Sequence, residues 1–192
     1  MNVHHIVHQT LAEGPGCRCA VWLQGCSLRC RGCFAQDKWS FEERWRLRAE
    51  DILDSMLPSE QGITVLGGEP FDQKEELAPL LVGAWARGLS TVVFTGYTLE
   101  HLQALHDESV DAILSHTDVL IDGPYREDLA STERPLVGSA NQRFLFLTDR
   151  YAQHDFQPNR IELRVARNGT LTINGMADDE SLRRLSLTVK TY

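Results

Sequence analysis

Five cysteines, Cys17, Cys19, Cys26, Cys30 and Cys33, fall within one short stretch of a 192-residue chain. An odd, tightly clustered set makes a poor disulfide framework. In a reducing compartment such a set binds metal or does redox chemistry. The last three are spaced Cys26-x-x-x-Cys30-x-x-Cys33, so three thiolates on one loop can converge on a single inorganic centre. Zinc is one such centre; a structural zinc wants four ligands, with His4, His5 or His8 as the candidate fourth. An iron–sulfur cubane is the other. Held by three cysteines, a cubane keeps one iron free for an outside ligand.

The surroundings narrow the choice. An aromatic residue, Phe34, directly follows the last cysteine, and about thirty residues later comes Val65-Leu66-Gly67-Gly68-Glu69-Pro70. The cysteine loop and this run together resemble the radical S-adenosylmethionine (SAM) superfamily. Within it the chain is similar to the anaerobic ribonucleotide reductase activating proteins, the small glycyl-radical activases, over roughly residues 12–145. The similarity rests on Glu13-Gly14-Pro15-Gly16, Gln24-Gly25-Cys26, Arg29-Cys30-x-Gly32-Cys33-Phe34, Gly67-Gly68-Glu69-Pro70-Phe71 and Thr95-Gly96-Tyr97-x-x-Glu100. It continues through Leu120-Ile121-Asp122-Gly123-Pro124-Tyr125 and Gly138-Ser139-x-Asn141-Gln142-Arg143.

This resemblance implies that Cys26, Cys30 and Cys33 hold a [4Fe–4S] cluster whose free iron is chelated by SAM. An electron from a flavodoxin- or ferredoxin-type reductant would then release methionine and a 5′-deoxyadenosyl radical, which takes a hydrogen atom from the substrate. The implied partner is a glycyl-radical enzyme such as anaerobic ribonucleotide reductase. No catalytic side chain beyond the cluster ligands is assigned. Gly67, Gly68 and Glu69 would receive the methionine end, glycine letting the backbone approach the ligand and exposed backbone or the Glu69 carboxylate accepting from the ammonium, or would form a strand-to-loop turn and nothing more. Phe34 would pack near the adenine. Thr95 and Gly96 would contact ribose or carboxylate, or form a simple turn. Asp122 would bind ribose or a monovalent cation, or serve a structural salt bridge. Asn141, Gln142 and Arg143 would touch SAM or substrate, or hold their loop.

The chain also departs from the family. Activases usually continue Asn-Pro after Phe34; here Ala35-Gln36 stands. Cys17 and Cys19 are extra, read as small buried residues or as a redox-reactive pair near the cluster. The C-terminal region exceeds a minimal activase. Two alternatives follow: a radical SAM enzyme modifying a small molecule or peptide, and a non-catalytic zinc or iron–sulfur interaction module.

These groups need a scaffold. Residues 18–24 read as a buried first strand after a Gly14-Pro15-Gly16 turn. Ser40, with Glu43 as capping-box partner, predicts a helix running to about Leu57 before Pro58. Residues 63–66, 91–94 and 118–122 read as strands, and 72–87 and 98–106 as helices. This alternation predicts a parallel sheet with right-handed crossovers. Residues 143–147 and 161–166 read as further strands, and Asn168-Gly169 before residues 170–173 signals a hairpin. The expected fold is α/β, a small open partial (β/α) barrel with an added C-terminal β-hairpin. One domain spans 1–192, with its core at about 12–145 and the added strands at about 143–176. Ligands in such folds sit outside the carboxyl ends of the strands.

Composition sets the class. Hydrophobic residues make up 42% and charged residues 24%, the balance of a globular chain. A net charge of −8 argues against a nucleic-acid binder. No apolar run approaches the length of a membrane span, and the N-terminus lacks a signal-peptide pattern, so a cytoplasmic location is expected. Locally, residues 17–48 carry seven basic side chains (Arg18, Arg29, Arg31, Lys38, Arg44, Arg46, Arg48) against three acidic (Asp37, Glu42, Glu43). That excess reads as a solvated face or as a docking patch for an acidic reductant.

Overall fold

The parallel strands are set by short, β-branched runs buried on both faces. The computed structural model describes residues 1–165 and 167–176. Strands β1 (Asn2–Thr10), β2 (Arg18–Leu23), β3 (Trp45–Arg46), β4 (Gly62–Gly67), β5 (Ser90–Phe94), β6 (Val119–Asp122) and β7 (Arg143–Phe146) form one seven-stranded sheet in the order β3-β1-β2-β4-β5-β6-β7. β2, β4, β5 and β6 run parallel. The sheet is not all-parallel, as the alternation predicted. β1 and β3 pair antiparallel at one edge, and β7 returns antiparallel on β6 at the other. A separate antiparallel hairpin, β8 (Ile161–Val165) and β9 (Leu171–Gly175), lies where Asn168-Gly169 placed it. Ala166 and the segment after Met176 lie outside the described residues.

Helices α1 (Ala49–Ser55), α2 (Lys74–Ala86), α3 (Leu99–Ala104) and α4 (Glu108–Ser115) connect the strands. The helix expected from Ser40 begins instead at Ala49. Tertiary pairing wins over the local cap here. Ser40 Oγ accepts only from Glu42 N–H, at 3.1 Å. The Asn2 side chain donates to Glu42 C=O and accepts from Arg44 N–H, at 3.0 and 2.9 Å, drawing Trp45 and Arg46 into β3. Helix α4 was not expected. Its signal was legible: Asp107 caps it by accepting from Ser109 and Val110 N–H at 2.9 and 3.1 Å, and Val110 and Ile113 face inward.

The period-two alternation sends side chains to two different cores. Cys19, Val21, Leu23, Ile63, Val65, Val93 and Leu120 pack under Ile52, Leu77, Leu80, Leu81 and Ile113 of the helices. The other face carries Val92, Val119 and Ile121 against Leu136 and Val137, with Phe144, Tyr151 and Phe156 at its margin. Arg18 also belongs to this second face. It is fully buried, and no carboxylate among the described residues pairs with it. Its guanidinium instead donates to Thr64 Oγ1 at 2.7 Å, Ser90 Oγ at 2.9 Å, Ile63 C=O at 2.7 Å and Pro15 C=O at 3.0 Å. One planar fork thus ties the starts of β2, β4 and β5 to the Gly14–Gly16 turn.

Replacing Arg18 by Met keeps most of the volume but leaves these acceptors unpaired in a dry interior. The expected cost is about 3 kcal/mol or more of unfolding free energy. Urea unfolding of both proteins measures it; a loss below about 1 kcal/mol would show that the fork is dispensable.

Candidate cluster and cofactor site

Four strand ends meet on one rim because β2, β4, β5 and β6 point the same way. Each hands over to a loop at that rim: Gln24-Gly25-Cys26, Gly68-Glu69, Thr95-Gly96 and Gly123. These loops surround a cavity of about 310 Å³ lined by Cys26, Cys30, Cys33, Phe34, Gly67, Gly68, Glu69, Thr95, Gly96 and Gln142. That volume lies at the lower end of the roughly 300–1,000 Å³ of small-molecule sites.

The cysteine loop is shaped by its backbone. Gly25 N–H donates to Lys38 C=O at 2.8 Å and Cys26 N–H to Trp39 C=O at 3.3 Å, so the chain after Phe34 folds back to hold the chain before Cys26. Gly25 has φ +106°, and a Cβ there would meet the Phe41 ring at 2.7 Å. Cys33 N–H closes a turn on Cys30 C=O at 3.1 Å. Backbone N–H groups face the sulfurs. Leu28 and Arg29 donate to Cys26, Tyr125 donates to Cys30, and Ala35 N–H lies 3.4 Å from Cys33 Sγ. Burial pushes the Cys26 and Cys30 thiols up, and these donors oppose it.

The donor set fits a cubane. Three thiols line one cavity, and hydrogen bonds to sulfur are a main means of tuning iron–sulfur clusters. Among the described residues the loop cysteines do not form a trio with ligand atoms all within 4.8 Å, the spacing suited to a single ion. Among the described residues none of His4, His5 and His8 joins them in such a group.

The glycine pair is explained first by the protein itself. Gly68 N–H donates to Leu23 C=O at 2.9 Å, and Glu69 N–H to Gly25 C=O at 2.8 Å. A Cβ on Gly68 would stand 1.9 Å from Gly25 O, and one on Gly67 would stand 2.4 Å from Leu23 N. The expectation that these glycines serve ligand approach is therefore incomplete; they let two strand ends touch.

Glu69 also differs from expectation. Its carboxylate is only 1% exposed and accepts from three protein donors. These are Phe71 N–H at 3.0 Å, Thr95 Oγ1 at 2.8 Å and Gly96 N–H at 2.8 Å. Burial raises it to about 7. It fastens the end of β4 to the end of β5 while bordering the cavity, and its oxygens are already engaged. Thr95 and Gly96 are its partners in that network. A Cβ on Gly96 would meet Leu28 Cδ1 at 2.4 Å, which brings the cysteine loop against β5.

Phe34 stands at the cavity wall, 76% exposed. Asp122 is fully buried and does not line the cavity. Its carboxylate accepts from Arg143 Nε at 2.8 Å, from another Arg143 nitrogen and from Leu99 N–H at 2.8 Å. Of its two readings, the structural salt bridge is the one present. Asn141 lies off the cavity too, donating to Pro124 C=O at 2.8 Å. Gln142 reaches the wall, but its Oε1 accepts from Gly138 and Ser139 N–H at 2.9 and 3.2 Å and its Nε2 donates to Gly123 C=O at 3.3 Å. These two residues hold their loop.

Several wall residues were not foreseen as site residues. His5 stacks on Trp22 with centroids 4.5 Å apart, and burial followed by His4 pushes it down to about 4. Glu13, raised to about 7 by burial, meets Asn174 and Gly175 of the hairpin. Ile173 to Met176 complete the wall. Nothing in the local sequence linked these residues, because distant segments bring them together. Cys17 and Cys19 sit at the far end of β2 from Cys26, so they form no pair beside the cluster loop. Burial pushes the Cys19 thiol up to about 12, so with no metal ion beside it the sulfur keeps its proton.

The basic excess is mostly neutralised. Arg18 is interior. Arg31 pairs with Glu127 at 3.0 Å, Lys38 with Asp37 at 2.9 Å, Arg46 with Glu76, and Arg48 with Asp51 at 2.9 Å. Among the described residues, Arg29 and Arg44 have no ion pair.

Comparison with known proteins agrees with this geometry. Residues 12–145 match the family described as the 4Fe–4S single cluster domain. The anaerobic ribonucleoside-triphosphate reductase-activating protein of Pasteurella multocida is 34% identical over 154 residues, covering 74% of this chain and 95% of that one. The protein of the same name from Enterobacteria phage T4 is 31% identical over 163 residues, covering 81% and 100%. The pyruvate formate-lyase-activating enzyme of Clostridium pasteurianum is 34% identical over 136 residues, covering 66% and 54%. The chain belongs to the 4Fe–4S single cluster domain family and is a radical SAM enzyme of the glycyl-radical activase type, with a [4Fe–4S] cluster and SAM as its cofactors.

Proposed function

We propose that this chain activates an anaerobic ribonucleoside-triphosphate reductase by removing the α-hydrogen of a glycine in that partner. One observation carries the reading: three loop cysteines and four parallel strand ends converge on one cavity, in a chain with full-length relatives of that name. The pyruvate formate-lyase activase aligns over only 54% of its length, which favours the reductase as partner. We read the whole chain as one domain whose sheet is the open (β/α) barrel of radical SAM proteins.

When bound and reduced, a [4Fe–4S] cluster at this site would supply the electron for reductive cleavage of SAM, and with it the hydrogen-abstracting chemistry. The rest is positioning by the protein. Cys26, Cys30 and Cys33 would hold the cluster through their thiolates. Gly67 and Gly68 offer backbone to the methionine end. Glu69 acts from behind, holding Thr95 and Gly96 at the rim. Phe34 offers its ring face to the adenine. Asp122, Asn141 and Gln142 position the loops at Gly123 and Gly138. The hairpin residues Asn174 to Met176 line the cavity, and we take them to narrow its mouth. That narrowing is also what favours a second reading, modification of a small molecule or peptide.

Anaerobically reconstituted protein, given SAM, reductant and an anaerobic reductase, is expected to yield a glycyl-radical signal by electron paramagnetic resonance. Cys33→Ala should abolish both the signal and 5′-deoxyadenosine release. SAM cleavage by the unaltered protein without a glycyl signal would reject the reductase reading in favour of the second.

A flavodoxin-type reductant would dock beside the loop, where Arg29 has no ion pair among the described residues and Arg31, paired with Glu127, is 93% exposed in its side chain. Reversing both charges is expected to slow cluster reduction by flavodoxin several-fold and leave reduction by dithionite unchanged. Equal slowing with both reductants would contradict this docking site.

A further inference from the structure

The end of β2 remote from the cysteine loop carries a second group of ligand-type side chains. His8 on β1, Cys19 on β2 and Glu60 in the turn before β4 each bring one ligand atom within 4.8 Å of the other two. The proposed activity uses none of them. Cys19 and Glu60 are buried, while the His8 side chain keeps 32% of its surface open to solvent.

The geometry is close to that of a bound ion. His8 Nδ1 lies 3.2 Å from Glu60 Oε1. Nitrogen and oxygen ligands on one tetrahedral zinc stand about 3.3 Å apart. Glu60 is already aimed: Gln9 N–H donates to Oε1 at 2.7 Å and Leu57 N–H to Oε2 at 2.7 Å. Outer hydrogen bonds of this kind orient ligating carboxylates. The backbone adds an independent sign. β1 slips register between Val7 and Thr10, and Gln9 takes φ +53°, left-handed for a non-glycine residue. Such a conformation costs free energy and persists where its surroundings fix it. Here it sets His8 beside Glu60.

We propose that His8, Cys19 and Glu60 form a mononuclear zinc site, with water as the fourth ligand on the exposed side. Imidazole, thiolate and carboxylate together suit zinc, whereas magnesium and calcium want oxygen alone. Binding releases the thiol proton to solvent as the sulfur–zinc bond forms. The site is separate from the cysteine loop, since Cys19 lies near the start of β2 and the loop follows its end, Leu23, four extended residues or roughly 13 Å further on. It also lies under the hairpin. Arg164 donates to His8 C=O at 2.7 Å and to Gln9 C=O at 3.1 Å, and Glu162 accepts from Leu11 N–H at 2.6 Å. Zinc there pins β1, β2 and the Glu60 turn beneath the seat of the hairpin that closes the cavity.

The test begins with the holoprotein, its cluster reconstituted anaerobically, exposed to zinc and desalted. About one zinc per chain should remain beside the iron. Cobalt(II) is then titrated into the full chain carrying Cys26→Ala, Cys30→Ala and Cys33→Ala, so that loop thiols cannot contribute. A thiolate-to-cobalt charge-transfer band is expected, absent in Cys19→Ser and formed with at least about tenfold weaker affinity in His8→Gln. No retained zinc, no such band, or a band that survives Cys19→Ser would overturn the proposal. If Cys19→Ser does not fold, the half-exposed His8→Gln decides, and unchanged cobalt affinity there overturns it.

Discussion

The site depends on two backbone hydrogen bonds, Gly68 N–H to Leu23 C=O and Glu69 N–H to Gly25 C=O. They latch the loop after β4 onto the chain entering the cysteine loop. No side chain can intervene, because a Cβ at Gly68 would collide with Gly25 O. Three cysteines on a short loop cannot hold a cluster in a fixed place unless the loop itself is fixed. This contact fixes its entrance, and the Gly25 and Cys26 bonds to Lys38 and Trp39 fix the return.

The latch extends sideways through Glu69. Its buried carboxylate gathers Phe71, Thr95 and Gly96, so the ends of β4 and β5 are tied together. Asp122 does the same one strand further, joining β6 to β7 through Arg143 and to the start of α3 through Leu99. At the opposite edge of the strands Arg18 binds three strand starts with one guanidinium. Buried charges thus sit at both ends of the parallel strands, and the apolar core lies between them. Charged groups in these positions cost desolvation, which multiple hydrogen bonds offset. What they gain is a rim whose loops are held to one another through the scaffold.

Much of this was legible in the sequence. The cysteine spacing and the Gly-Gly-Glu run pointed to the chemistry through a family resemblance, and the strand–helix alternation pointed to the rim, because each is a local pattern. The Asn168-Gly169 hairpin was legible for the same reason. What escaped depends on contacts between distant segments. Ser40 looks like a helix cap until Asn2 claims the following residues for β3. Glu69 reads as a ligand through the family resemblance and Asp122 as either a ligand or a structural salt bridge, and their buried partners show that both hold the scaffold. The basic run around Arg31 and Lys38 looks like a patch until its acidic partners Glu127 and Asp37 are seen. His5, Glu13 and Asn174 border one cavity although no sequence pattern joins them.

The central claim is that Cys26, Cys30 and Cys33 hold a cubane with one iron left for SAM. Mössbauer spectroscopy of protein reconstituted with enriched iron tests it most directly. One iron in four should change its parameters when SAM is added, while the other three stay as they were. Four irons that all ignore SAM, or iron that never assembles into a cubane, would contradict the account.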